Sequence, residues 1–199
     1  MLVASLFSFA VHIPRRAALH GGAAMASTLL MSSPAGADSL LPKTGGSPVL
    51  CEEDVMAPKA HGTTETAVQQ NLRWNVDRKN ADRICSFNRH YAEYAGYWKT
   101  TSYLKEVSTT EPTVYYDSVT GKPLFVAPIG RTMNQFLAES DVHGWPSFRD
   151  EEVVWENMRV LRTTGEAVSK DGTHLGHNLP DKKGNRYCIN LISIAGQPA

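Results

Sequence analysis

The chain has 199 residues, with 20 basic and 20 acidic side chains, 42% hydrophobic and 9% aromatic residues, and three cysteines. That length suits one ordinary domain with a tail, or two small ones; the zero formal charge removes the sequence-independent phosphate attraction on which most nucleic-acid binding rests. Three cysteines are too few for a disulfide scaffold or an all-thiolate four-ligand zinc site, and they leave at least one thiol unpaired within the chain.

Residues 1–37 contain no Asp or Glu, carry Arg15 and Arg16 ahead of an apolar, Ala-rich stretch from Ala17 to Met31, and end in Ala35-Gly36-Ala37, an A-x-A cleavage signal before Asp38. These features predict a removable targeting leader of twin-arginine type. His20 and two glycines interrupt the apolar run, so no stable membrane span, which needs ~20 apolar residues, is expected. Met1 to Ala10 is itself apolar, which suits a composite plastid leader. The expected destination is therefore a plastid or thylakoid lumen, with the bacterial periplasm or a mitochondrion as alternatives. Cleavage after Ala37 leaves 162 residues with 18 basic and 20 acidic side chains, because only the two leader arginines are lost.

From Asp38 to Thr66 the chain is rich in Pro, Gly, Ser and Thr without apolar periodicity, which predicts a flexible lead-in over 38–74 containing Cys51. A single domain is expected over 75–199. Asn75-Val76-Asp77 offers a helix cap, and Ala81, Ile84, Cys85, Asn88, Tyr91 and Ala92 follow at spacings of three and four, predicting an amphipathic helix ending near Gly96. Thr113 to Tyr116 and Pro123 to Phe125 read as strands joined by a turn over Asp117 to Gly121. A short helical insert over Thr132 to Ser140 follows, then a long strand from Glu152 to Arg162. Gly165 marks a turn before a short strand ending near Ser169, and Arg186 to Ala195 forms a last β-rich run. The second half is thus mostly antiparallel strand.

On a strand, Arg186, Cys188 and Asn190 project from one face, flanking a thiol with a fixed positive charge and an amide. A guanidinium favours thiolate over thiol, and the thiolate is the nucleophile. The competing reading is a small buried hydrophobe in a β-rich core. His174 and His177, three apart, would face opposite ways on a regular strand, but Gly176 between them permits a bend or bulge that unites them. Such a pair serves either metal ligation, with Cys188 or His143 as further ligands, or acid–base work near neutral pH; two half-exposed loop histidines are the alternative.

Gly144-Trp145-Pro146-Ser147-Phe148, His174-Leu175-Gly176-His177, Pro180-Asp181 and Arg186-Tyr187-Cys188-Ile189-Asn190 occur in that order. Together they resemble the methionine-R-sulfoxide reductase family, type B (MsrB, or SelR), over roughly residues 94–196. Gly121-Lys122-Pro123-Leu124-Phe125 is similar to a further strand of that family. The resemblance implies a mainly β domain, a β-tent of two antiparallel sheets with peripheral helices, and a peptide-methionine (R)-S-oxide reductase. Cys188 would attack the sulfoxide sulfur and become a sulfenic acid. His174 or His177 would supply protons while the other orients, Arg186 would stabilise the thiolate, and Asn190 would bind substrate or water. Trp145, Phe148 and Thr173 would contact substrate. Oxidised proteins are the implied substrates and a thioredoxin- or glutaredoxin-type reductant the implied partner, with the enzyme acting as a monomer without cofactor.

The chain departs from the family in lacking the two C-x-x-C pairs that hold a structural zinc, so none is expected. The position two before Trp145, a Thr or a resolving Cys in many members, is His143, and the segment between Phe125 and Gly144 is longer than usual. Recycling therefore falls to Cys85, to Cys51, or to an external thiol acting directly on Cys188. Two rival functions are a non-catalytic β-tent binding module and a metal site built from His174, His177, Cys188 and His143.

Overall fold

The computed structural model of the protein describes residues 41–199, and the predicted leader over 1–37 lies outside them. Strands form where β-branched and aromatic residues cluster. In chain order they are β1 (Leu50–Cys51), β2 (Thr113–Tyr116), β3 (Pro123–Ala127), β4 (Ser147–Phe148), β5 (Met158–Leu161), β6 (Glu166–Ser169), β7 (His174–Asn178) and β8 (Tyr187–Ile189). Six make one sheet in the order β1-β5-β6-β7-β8-β4, antiparallel throughout except for the β1–β5 pair, and β2 and β3 form a separate antiparallel hairpin. The fold is accordingly mainly β with two sheets and few helices, as the resemblance implies.

Between hairpin and sheet lies an aromatic core. Phe148 on β4 stacks on Phe125 of β3 with centroids 4.2 Å apart, and Tyr115 and Phe136 pack against it at 5.1 and 5.2 Å. Offset and edge-to-face rings of this kind gain from their quadrupoles as well as from burial. The β2–β3 turn is fixed from within: buried Asp117 accepts from Val119 N at 2.8 Å and from Thr173 Oγ1 at 3.0 Å.

Among the described residues three α-helices sit around the sheets, α1 (Arg78–Asp82), α2 (Tyr103–Glu106) and α3 (Met133–His143). The expected insert helix is α3, running three residues further than predicted. Thr132 and Gln135 form a reciprocal capping box at its start, and Gly144, in the left-handed region at φ 88°, ends it. A side chain at Gly144 would also meet Ala95 Cβ at 2.8 Å, so the close approach of residues 95–96 requires glycine there.

Four expectations need correction. The lead-in is not loose from residue 41 onward, because β1 pairs in register with β5 and Lys59–Thr64 form paired turns. The helix capped by Asp77 ends at Phe87 rather than near Gly96, since Asn88 breaks it by accepting from His90 N in an Asx turn. The long strand from Glu152 shrinks to β5, because Asn157 closes a turn onto Val154 O at 3.0 Å and donates its side chain to Pro123 O at 2.9 Å. The last strand stops at Ile189, and Leu191–Ser193 coil into a 3-10 turn whose Leu191 and Ile192 amides donate to buried Glu93 rather than to a neighbouring strand. Among the described residues, no helix is long and apolar enough to cross a membrane.

Because Phe148 is fully buried at the centre of the aromatic cluster, Phe148→Ala should lower unfolding free energy by ~3–5 kcal/mol, read from urea denaturation.

Candidate functional site

The site is built where β4, β8 and β7 lie side by side. Cys188 on β8 pairs with Ser147 of β4 on one side and with His177 of β7 on the other, and directly opposed side chains in such pairs stand ~5 Å apart at Cβ. Gly176 makes this possible: a Cβ there would lie 2.0 Å from the Cys188 carbonyl oxygen. The register between β6 and β7 also slips here, with Ala167 opposite Gly176 but Val168 opposite His174, so Leu175 is an extra residue. That bulge turns His174 and His177 to the same side, with ring centroids 6.0 Å apart. A cavity of 580 Å³ opens onto these groups; Arg186, Cys188, Asn190, His174, His177, Trp145 and His143 all line it, and residues 89–92 form a further wall.

The polar contacts organise the cavity. The Arg186 guanidinium donates to the Cys188 sulfur, and the Ser147 hydroxyl lies 3.8 Å from it. Buried His174 places Nδ1 2.6 Å from a Glu166 carboxylate oxygen, leaving Nε2 as the ring nitrogen free for the cavity. Arg89 grips the same carboxylate through Nε at 3.0 and 3.1 Å and Nη2 at 2.5 Å, and reaches Glu53 at 2.9 Å. Burial alone would raise the Glu166 carboxyl, but His174 and Arg89 hold it below the usual range, so it is a carboxylate at neutral pH. For His177 burial, followed by the neighbouring His174, lowers the pKa below its ordinary value. Asn190 donates to Leu175 O at 3.0 Å and accepts from Glu93 N at 3.0 Å, while the Trp145 indole donates to Glu93 O at 3.0 Å.

An ion-pair chain supports Arg186 from behind. Its Nε lies 3.7 Å from Asp181, which Arg149 binds at 2.8 Å; Arg149 also binds Glu139 of α3, and Arg131 joins Glu139 to fully buried Glu152. Arg131 further donates to Ser147 O at 2.7 Å, fixing β4 beside Cys188. Among the described residues the donor set close enough to share a metal is Glu139, His143 and Asp181. Arginines already hold both of its carboxylates, and it contains none of His174, His177 or Cys188.

Four other expected residues lie elsewhere. Phe148 belongs to the aromatic core, and buried Thr173 is spent on Asp117. Cys85 is fully buried among apolar side chains with its thiol 3.5 Å from Ser193 Oγ, and burial pushes that thiol far up. Cys51 lies on β1, four strand steps from β8, roughly 19 Å at ~4.8 Å per step, and its burial also raises the thiol. The sequence reading missed Glu166, Arg89 and Glu93. A glutamate opening a short strand directly after the Gly165 turn was the available signal for Glu166; Arg89 and Glu93 lie in what reads as helix and gave none.

With this geometry in view, the chain is 39% identical over 66 residues to "Peptide methionine sulfoxide reductase MsrB" of Leifsonia xyli subsp. xyli (strain CTCB07), the match covering 28% of this chain and 47% of that protein. The match thus spans about half the length of that relative. No family model matches the chain. The similarity supports an MsrB-like relationship.

With Glu166 fixing the ring, His174 should be the Nδ1–H tautomer in 15N spectra at pH 8. Glu166→Gln should mix the tautomers, while leaving His61 and its Asp82 contact unchanged as an internal control.

Proposed function

We propose that the protein is a peptide-methionine (R)-S-oxide reductase. The observation that carries the reading is the Cys188 sulfur held by Arg186 on the wall of an open cavity that two imidazoles also line; its relative's printed name points to the same chemistry. The Cys188 thiolate attacks the sulfoxide sulfur, one proton is taken up, the sulfur–oxygen bond transfers its oxygen, and the products are methionine and a Cys188 sulfenic acid. His177, the cross-strand neighbour of Cys188, donates the proton, and His174, anchored by Glu166, orients the substrate oxygen or its water through Nε2. The Trp145 ring takes the methyl group. Fixed places for methyl, oxygen and chain leave only one sulfoxide epimer with its sulfur facing the thiolate.

Recycling in this proposal is external. Cys85 is walled in by the core and Cys51 is four strands away, so two thiol equivalents from a thioredoxin-, glutaredoxin- or small-thiol reductant reduce the sulfenic acid, releasing water and a disulfide. Oxidised proteins are the proposed substrates, and a plastid destination is proposed from the sequence features of 1–37.

Turnover of the separate R and S sulfoxides of a blocked methionine with dithiothreitol tests the proposal. R-selective turnover lost in Cys188→Ser is expected, with no Cys188 disulfide to Cys85 or Cys51 after oxidation; absence of R-selective turnover, or its survival in that variant, overturns it. The sign of the pH dependence follows from His177. Its pKa lies below 6.5 because burial disfavours the charged ring, so the donating form is lost as pH rises through a value below 6.5. Single-turnover methionine formation without reductant should therefore fall along a limb centred below that pH, and His177→Gln should abolish the limb.

A further inference from the structure

Glu93 lies on the loop between the end of the 83–87 turn and α2, only 2% exposed, and none of the proposed chemistry uses it. It makes four polar links to residues on two other segments. Its N–H donates to Asn190 Oδ1 at 3.0 Å and its carbonyl accepts from Trp145 Nε1 at 3.0 Å. Its carboxylate accepts from the amides of Leu191 at 2.8 Å and Ile192 at 3.1 Å. Those two amides open the 191–193 turn and have no backbone acceptor of their own, so the carboxylate is their partner at the point where the strand ends. Asn190 in turn spends its Nδ2 on Leu175 O.

We propose that Glu93 is a positioning residue for the substrate pocket, a clamp that sets the Trp145 ring against Asn190 across the cleft while leaving the Cys188–Arg186 contact untouched. The inference rests on the reductase reading. Its physical basis is that one residue bonds both pocket walls through its backbone and is itself pinned through its side chain, so neither wall moves without breaking a hydrogen bond, buried on the Asn190 side and half-buried on the Trp145 side. Burial pushes the carboxyl up against the pull of the two amides, which favour the ionised acceptor, an unfavourable placement that apolar packing at this position would avoid. The same pinning holds residues 89–92, which form a cavity wall immediately before it.

Glu93→Gln sets an amide donor against one of the two backbone donors, and Glu93→Asp withdraws the carboxylate by one methylene. In the full-length protein both should raise KM for the R sulfoxide at least tenfold with kcat changed less than threefold. Alkylation of Cys188 by iodoacetamide at pH 7 should stay within twofold of wild type. Hydrogen exchange at the Trp145 indole and at the Leu191 and Ile192 amides should accelerate at least tenfold, with the Trp155 indole unchanged. Unchanged KM and exchange, alkylation falling in step with turnover, or loss of the fold in both variants would each overturn the clamp. A wild-type protein without R-selective turnover would instead overturn the reductase reading, and the exchange measurement alone would then decide whether Glu93 holds the two walls.

Discussion

The close approach of β7 to β8 at Gly176 is the constraint on which the site depends. With 2.0 Å between a would-be Cβ and the Cys188 carbonyl oxygen, only hydrogen fits there. The two strands therefore pair with His177 opposite Cys188, and the adjacent bulge at Leu175 carries His174 round to the same side. A bulge re-aims side chains without breaking the sheet, and here it converts a three-residue spacing that alternation would split into two imidazoles on one wall. The thiol and the imidazoles thus stand on adjoining strands of one sheet, where backbone hydrogen bonds fix their separations, and the guanidinium comes from Arg186 immediately before β8.

Around that junction the protein buries charge in pairs. Glu152 is held by Arg131, and Glu166 by Arg89 and His174. Buried ion pairs add little net stability, since desolvation offsets the Coulomb gain, yet removing one partner is costly. Their effect here is geometric: Glu166 orients an imidazole, and the Arg131–Glu139–Arg149–Asp181 chain reaches the back of Arg186. The helical insert α3 is part of this arrangement, because Glu139 lies on it and Arg131 directly precedes its cap.

Legibility in the sequence followed the range of the interactions involved. The β2–β3 hairpin is readable because strand formers flank a six-residue connection, and α3 because its cap and stop are local. The segment 88–96 reads as helix because its apolar spacing continues past Asn88, and the contacts that add to the Asx turn at Asn88 in holding it off the helix are to Glu166, Glu53 and Asn190, distant in sequence. Phe148 and Thr173 sit beside site residues in the sequence, but their side chains are engaged elsewhere. Alternation turns Phe148 away from the Cys188 side into the aromatic core, and Thr173 is taken by Asp117.

By itself the sequence determined that Arg186, Cys188 and Asn190, spaced by two about a short strand, can be presented to one side, and the glycine between the histidines marked where that period could fail. Only the tertiary structure decided which partners those groups meet. That Glu166 backs His174, that Cys85 is sealed in the core and Cys51 is four strands away, and that Glu93 joins Trp145 to Asn190 all depend on contacts distant in sequence, 108 residues apart for Cys85 and Ser193. The physical reason is that propensity and periodicity act over a few residues, whereas burial and ion pairing are settled by which surfaces the folded chain brings together.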